Sequence, residues 1–196
     1  MTRNLFASSL CGGFLMATAL APPFLVSLSG QSGGRALGEL GTFVIASALA
    51  AVGSSYLWGR LSDKSSRKVL ALAGVLGALV FIVTAALMIF RPDALQQPYT
   101  LPAAMFGLML AYQGVRLGRA THIVDMANAD QRAAYTAISN TVVGVLLVAG
   151  GIFGMIAELA GTASVLMIFA GMCGIAAMLA LGLDEVQQAD RETAQE

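Results

Sequence analysis

"GRLSDKSSRK" (residues 59–68) gathers Arg60, Lys64, Arg67, Lys68 and Asp63 into ten positions, in a chain of 196 residues of which 11% are charged and 57% are apolar. A soluble domain carries roughly 25% charged residues, so this cluster interrupts an apolar background. Burying its four cations in hydrocarbon would cost on the order of 10 kcal/mol, at about 2.5–3.5 each. The stretch must therefore sit in water, between two apolar segments that do not.

Working outward, apolar runs recur at about 5–28, 38–58, 68–90, 101–121, 134–157 and 162–182, each near the ~20 residues that cross a ~30 Å hydrocarbon core. Their pattern does not alternate with period two, and lipid offers no partner for backbone N–H and C=O groups, so they read as helices rather than barrel strands. The fold class is an all-α membrane protein with six transmembrane helices. Gly and Pro punctuate the links "GQSGGRALGE" (30–39) and "RPDALQQPYT" (91–100). Residues 1–183 form the bundle, and 184–196 form a polar, acidic tail in water.

Arg3 ahead of an apolar run, with Ala19 and Ala21 spaced as at a leader-cleavage site, raises the possibility of a signal peptide. The run continues through Phe24, Leu25 and Val26, and Pro22 follows the would-be cut, so it reads as a first membrane span instead. Pro22 and Pro23 should break or kink its outer part.

With six spans, one face holds Arg3, Arg60, Lys64, Arg67, Lys68, Arg116, Arg119, Arg132 and Arg191, and the other holds Arg35 and Arg91. By the positive-inside rule the first face, with both termini, is cytoplasmic, in a cell (inner) membrane. The 11 basic and 11 acidic residues cancel, and no basic stripe interleaves with aromatics, so nucleic acid is not a partner. Cys11 and Cys173 lie in apolar runs and read as small packing residues. No cofactor or metal is expected. The single histidine, His122, lies at the cytoplasmic end of span four, and neither an H-E-x-x-H motif nor paired intramembrane aspartates occur, which argues against an enzyme.

The order of residues in the quoted loop carries more than topology. Gly59, Leu61, Asp63, Lys64, Arg67 and Lys68 follow G-x-L-x-D-(R/K)-x-x-R-K. This resembles the signature loop between the second and third helices of a major facilitator superfamily half, G-x-L-x-D-R-x-G-R-K-x-x-L. Ser66 and Ala71 depart from that pattern. The resemblance implies a six-helix half built as a 3+3 inverted repeat, most like the C-terminal half, in which the loop acts as a conformational latch. A tight turn at Gly59, with Asp63 serving free N–H groups at the next helix start, is the local expectation. The plainer reading, charges that only fix topology, stays open beside it.

"GRATHIVDMANADQRAAYTAISNT" (118–141) resembles the link between the fourth and fifth helices of such a half, making Asp125 and Arg132 possible latch partners. "YQGVRLGR" (112–119) partly matches the family's fourth-helix R-x-x-Q-G, but Leu110 stands in place of its Arg, so a proton-linked arginine does not carry over. Arg116 and Arg119, one turn apart, are read as snorkelling to the cytoplasmic mouth. Helical rise places Tyr112 and Gln113 about 16–18 Å into span four, and Thr18 at the middle of span one. Asn140 and Thr141 fall in the cytoplasmic third of span five. These five are candidate cavity residues, the alternative being hydrogen bonds that only steady packing. Glu39 and Glu158 fall near outer ends, so no carboxylate is expected at mid-depth to couple ions. Gly114 and Gly118, and Gly144, Gly150, Gly151 and Gly154, are small-residue faces for bundle packing or for a dimer contact.

Function then follows from the resemblance: a half-transporter moving a small solute by alternating access, needing a second six-helix half or a homodimer beside lipid. The alternative is a non-transporting accessory or truncated six-helix membrane protein.

Overall fold

In the computed structural model, residues 11–30, 36–126 and 132–182 are described, and among them every regular element is an α-helix. In chain order these are α1 (Ala17–Leu20), α2 (Pro22–Gly30), α3 (Ala36–Ser62), α4 (Ser66–Phe90), α5 (Pro92–Leu95), α6 (Thr100–Met126), α7 (Arg132–Ala149), α8 (Ile152–Ala160) and α9 (Thr162–Leu181).

Among the described residues, five segments are long and apolar enough to cross a membrane: Cys11–Gly30, Leu40–Ser62, Ser66–Phe90, Asn140–Ala160 and Thr162–Leu181. The expected fourth span falls on α6, a 27-residue helix about 40 Å long that is not among these five. It falls short on apolarity because Tyr112, Gln113, Arg116 and Arg119 lie on it. The first and fifth spans are each interrupted. Pro22 lacks the N–H that would extend α1, and the chain bends at Ala21, as expected of a proline pair. Gly150 and Gly151 form a turn between α7 and α8, where Phe153 N–H bonds to Gly150 O at i−3.

Named contacts give the relative directions of the long helices. Gly74 approaches Cys173 O and Ala177, while Arg67 Nη1 reaches Leu181 O, so α4 and α9 are antiparallel. Trp58 and Ser62 meet Leu110 and Thr121 respectively, so α3 and α6 run parallel. Cys11 Sγ donates to Ala176 O at 3.4 Å, and Phe24 meets Phe169 edge-on, with ring centroids 5.7 Å apart.

The core consists of two stacked clusters. One holds Leu25, Phe81, Leu108, Val165, Leu166 and Phe169. There Phe169 touches Phe24, Phe81 and Phe153, with ring centroids 4.8–5.7 Å apart, so one side chain joins four spans. The other cluster, toward the end bearing Arg60 and Lys68, holds Cys11, Leu15, Trp58, Val69, Leu70 and Val115. Both cysteines are free and buried, consistent with packing roles.

α8 and α9 are joined by Gly161 alone, at φ 84°, ψ 152°. That conformation is essentially restricted to glycine, and it reverses the chain in one residue.

Candidate functional site

The charged loop is tighter than its sequence suggests. α3 continues through Ser62, so Gly59 lies within its last turn and no heavy atom stands within 4 Å of where its Cβ would be. The expected tight turn at Gly59 is thus displaced to Asp63–Ser65. There Lys64 N–H and Ser65 N–H both bond to Leu61 O, at 3.1 and 3.0 Å. The cap on α4 is Ser65, in extended backbone, whose Oγ accepts from Lys68 N–H at 3.3 Å. Serine caps because its short hydroxyl reaches the third N–H of the new helix. Asp63, which the sequence reading places near the free N–H groups of this helix start, is exposed two residues before the cap.

Four spans meet at this loop. Ser62 Oγ donates to Thr121 Oγ1 at 2.9 Å, and Thr121 donates in turn to Leu117 O, tying the ends of α3 and α6. Arg67 Nη1 donates to Leu181 O at 3.5 Å, a cation at the carbonyl end of α9 where the helix dipole is negative. Leu61 packs on the adjacent core cluster, while Lys64 and Lys68 are exposed. The side chains of His122, Asp125 and Arg132 lie outside the described residues, as do Arg3, Arg35, Glu39 and Arg191.

α6 presents two different faces. Gly114 and Gly118 lie on the packed one: Trp58 and Ala73 crowd the first, Leu70 and Val69 the second. Trp58 Nε1 donates to Leu110 O at 2.9 Å, which fixes the ring against the helix backbone. A bulkier residue at 114 would push the ring away. The small-residue spacing read in span four is therefore a packing face. In span five, Gly150 faces Leu20, but nothing stands within 4 Å of the Cβ position at Gly144 or Gly154.

Tyr112 and Gln113 are half-buried beside Ala111. Ala111, Thr18 and Cys173 all surround Gly77, so these residues share one level of the bundle, about 16–20 Å along α6 from Thr100. Thr18 is fully enclosed and its hydroxyl donates to Leu15 O at 2.8 Å, which leaves it facing packing rather than an opening. Asn140 and Thr141 are exposed on α7, and Thr141 donates to Ala137 O. The five cavity candidates thus divide into Tyr112 and Gln113, with Thr18 packed at the same level, and Asn140 and Thr141 apart on the outer face of span five.

Arg116 is exposed, whereas Arg119 is half-buried with its side-chain stem against Gly12. The second lies along the seam of spans one and four, unlike the first. The sequence had paired them, and only the fold separates them. Among the described residues the acids Asp63, Asp93 and Glu158 are all exposed near helix ends.

Trp58 and Phe169 were not singled out in the sequence, though each organises several spans. The sole Trp of the chain, placed one residue before the loop motif, was the available signal.

Long apolar helices in alternating directions, with charge gathered at their ends, define an integral, polytopic membrane protein. The family model of the Major Facilitator Superfamily matches residues 5–196, and the chain belongs to that superfamily, a family of transporters. Comparison with curated proteins and with solved structures gave no match.

Proposed function

We propose that this chain is a six-helix half of a major-facilitator-type transporter that moves a small solute by alternating access, with a second six-helix half supplied by a partner or by another copy. The observation that carries this reading is the symmetry of helix packing. Exchanging spans one, two and three for four, five and six maps the following pairs onto one another. Span two meets span four where Trp58 lies on Gly114, and span five meets span one where Leu20 lies on Gly150. Spans three and six meet each other through Gly74, Cys173 and Ala177. Such pairing suits an inverted 3+3 repeat in which α6 serves as the sixth membrane span.

Spans two and five are the least enclosed. Ile45, Leu49, Val52 and Tyr56 form an exposed stripe at helical spacing on one, and Val145, Val148, Ile152, Met155 and Leu159 form one on the other. These faces suit contact with the second half, and the solute path would run between halves past Tyr112 and Gln113. Asp63 and Arg67 then act as a latch: Arg67 holds the end of α9 in one access state and releases it in the other. The cationic end faces the cytoplasm, under the positive-inside rule, and the membrane is the inner membrane.

Cysteine crosslinking and uptake in proteoliposomes test this. Because Cys11 and Cys173 are buried, Val148→Cys introduces one reactive thiol on span five. A crosslinked pair of chains, or a crosslink to a co-purified six-helix partner, is expected, together with solute uptake that Gln113→Leu abolishes. Uptake by monomers that never pair would overturn the half-transporter reading.

A further inference from the structure

Between α4 and α6, an open groove of about 350 Å³ is lined by Leu79, Val80, Val83, Thr84 and Leu87 of α4, Leu95 of α5, and Thr100 and Ala103 of α6. Thr84 spends its hydroxyl on Val80 O at 2.8 Å, so the wall is effectively apolar. From Leu79 to Leu87 the groove follows α4 for about 12 Å, close to the ~15 Å depth of one leaflet of hydrocarbon. Its mouth lies at the end of the bundle opposite the charged loop. There Arg91 is exposed and joins the two lining residues Leu87 and Leu95: its N–H bonds to Leu87 O at 2.9 Å, and its carbonyl accepts from Ala94. Among the described residues it is the one cation at that end.

We propose that this groove is a binding site for a membrane phospholipid, one acyl chain lodged against Val80, Val83, Leu87 and Ala103 and the phosphate held at the rim by Arg91. Lipid tails are as apolar as the wall, so the apolar effect does not favour this lipid over its neighbours. Selection comes from a chain touched on several sides instead of one, and from a charge-assisted bond between guanidinium and phosphate. Asp93, two residues beyond Arg91, is also exposed and keeps the rim from being purely cationic. The site therefore recognises the phosphate rather than net lipid charge, and phosphatidylglycerol and phosphatidylethanolamine should both bind.

Native mass spectrometry of the detergent-purified full chain, with added dioleoyl phosphatidylglycerol, phosphatidylethanolamine or dioleoylglycerol, reads this directly. Wild type should retain one phospholipid in preference to dioleoylglycerol. Ala103→Phe, which fills the groove from its exposed side, should lower the bound fraction about tenfold, and Arg91→Gln should erase the preference for phospholipid over dioleoylglycerol, a loss of similar size. Met155→Phe on span five should change neither. If Ala103→Phe does not fold, Ala103→Leu occupies the same space with less volume and should give a smaller loss of the same kind. Equal retention in wild type, Ala103→Leu and Met155→Phe would mean lipid that merely surrounds the protein, and would overturn the proposal. So would chain dimers crosslinked through Ala103→Cys, which would put a second copy in the groove.

Discussion

Replacing Gly114 with alanine tests the seam that sets spans two and four together. A Cβ built there would stand 2.7 Å from Trp58 Cε2, 3.0 Å from Cζ2 and 2.9 Å from Ala73 Cβ, about 1 Å inside the normal 3.5–4.0 Å carbon contact. Trp58 has little freedom to yield, being 5% exposed and bonded through Nε1 to Leu110 O. Either α3 and α6 move apart or the ring turns and that bond breaks. Overpacking costs about 1–3 kcal/mol, and losing the bond adds about 0.5–1.5. Alanine recovers up to ~1 kcal/mol of helix propensity, leaving a net destabilisation of about 0.5–3.5 kcal/mol. For a chain of this length that is a fall in Tm of roughly 1–14 °C. Trp58 is the only Trp, so its emission in detergent reports the displacement without a label. Gly144→Ala, at an open position, is the matched control and should be neutral or slightly stabilising. In a double-mutant cycle, Trp58→Leu should relieve part of the Gly114→Ala penalty. An unchanged Tm and unmoved emission in Gly114→Ala would refute the close-packed seam.

Gly161→Ala should lower thermal stability by about 1–3 kcal/mol, because φ 84° with ψ 152° suits only glycine; unfolding of the purified protein measures it. Phe169→Ala removes the ring that touches Phe24, Phe81 and Phe153. A residual cavity of roughly 100 Å³ at ~24 cal/mol per Å³ gives a loss of about 2.4 kcal/mol, read as a fall in Tm. Arg67→Gln should cost only about 0.3–1 kcal/mol of stability yet strongly reduce uptake, and a proportionate small loss of uptake would argue against the latch. For topology, Lys64→Cys should react with an impermeant maleimide only from the cytoplasmic side and Gln97→Cys only from outside, while the native thiols stay silent; the reverse pattern would invert the proposed orientation.

The boundaries of the apolar helices were legible because length and hydropathy are local properties of the chain. Pro22 marked the break in span one for the same reason, since a missing N–H acts within one turn. The loop capped by Ser65 shows where local reading gives out: which residue stands at the cap position depended on how far α3 continued before the chain turned. α6 shows another limit. Its polar residues lower its apolarity, but whether each one packs, opens to a path or reaches the surface depends on the helices beside it. Arg116 and Arg119, one turn apart in sequence, ended in different surroundings because only Arg119 has Gly12 against its stem.

From the amino acids alone come the helical, membrane-spanning class, the segregation of cations to one end and the loop motif that places the chain in its superfamily, because the bilayer excludes charge and unpaired backbone groups wherever the fold puts them. Only the tertiary structure decided that Trp58 seats on Gly114, that Thr18 is sealed in packing, that Arg67 reaches the end of α9 and that a groove opens below Arg91. Within lipid every helix face is apolar, so hydrophobicity cannot select neighbours; the fit of small residues against large ones does, and that fit exists only between segments far apart in the chain.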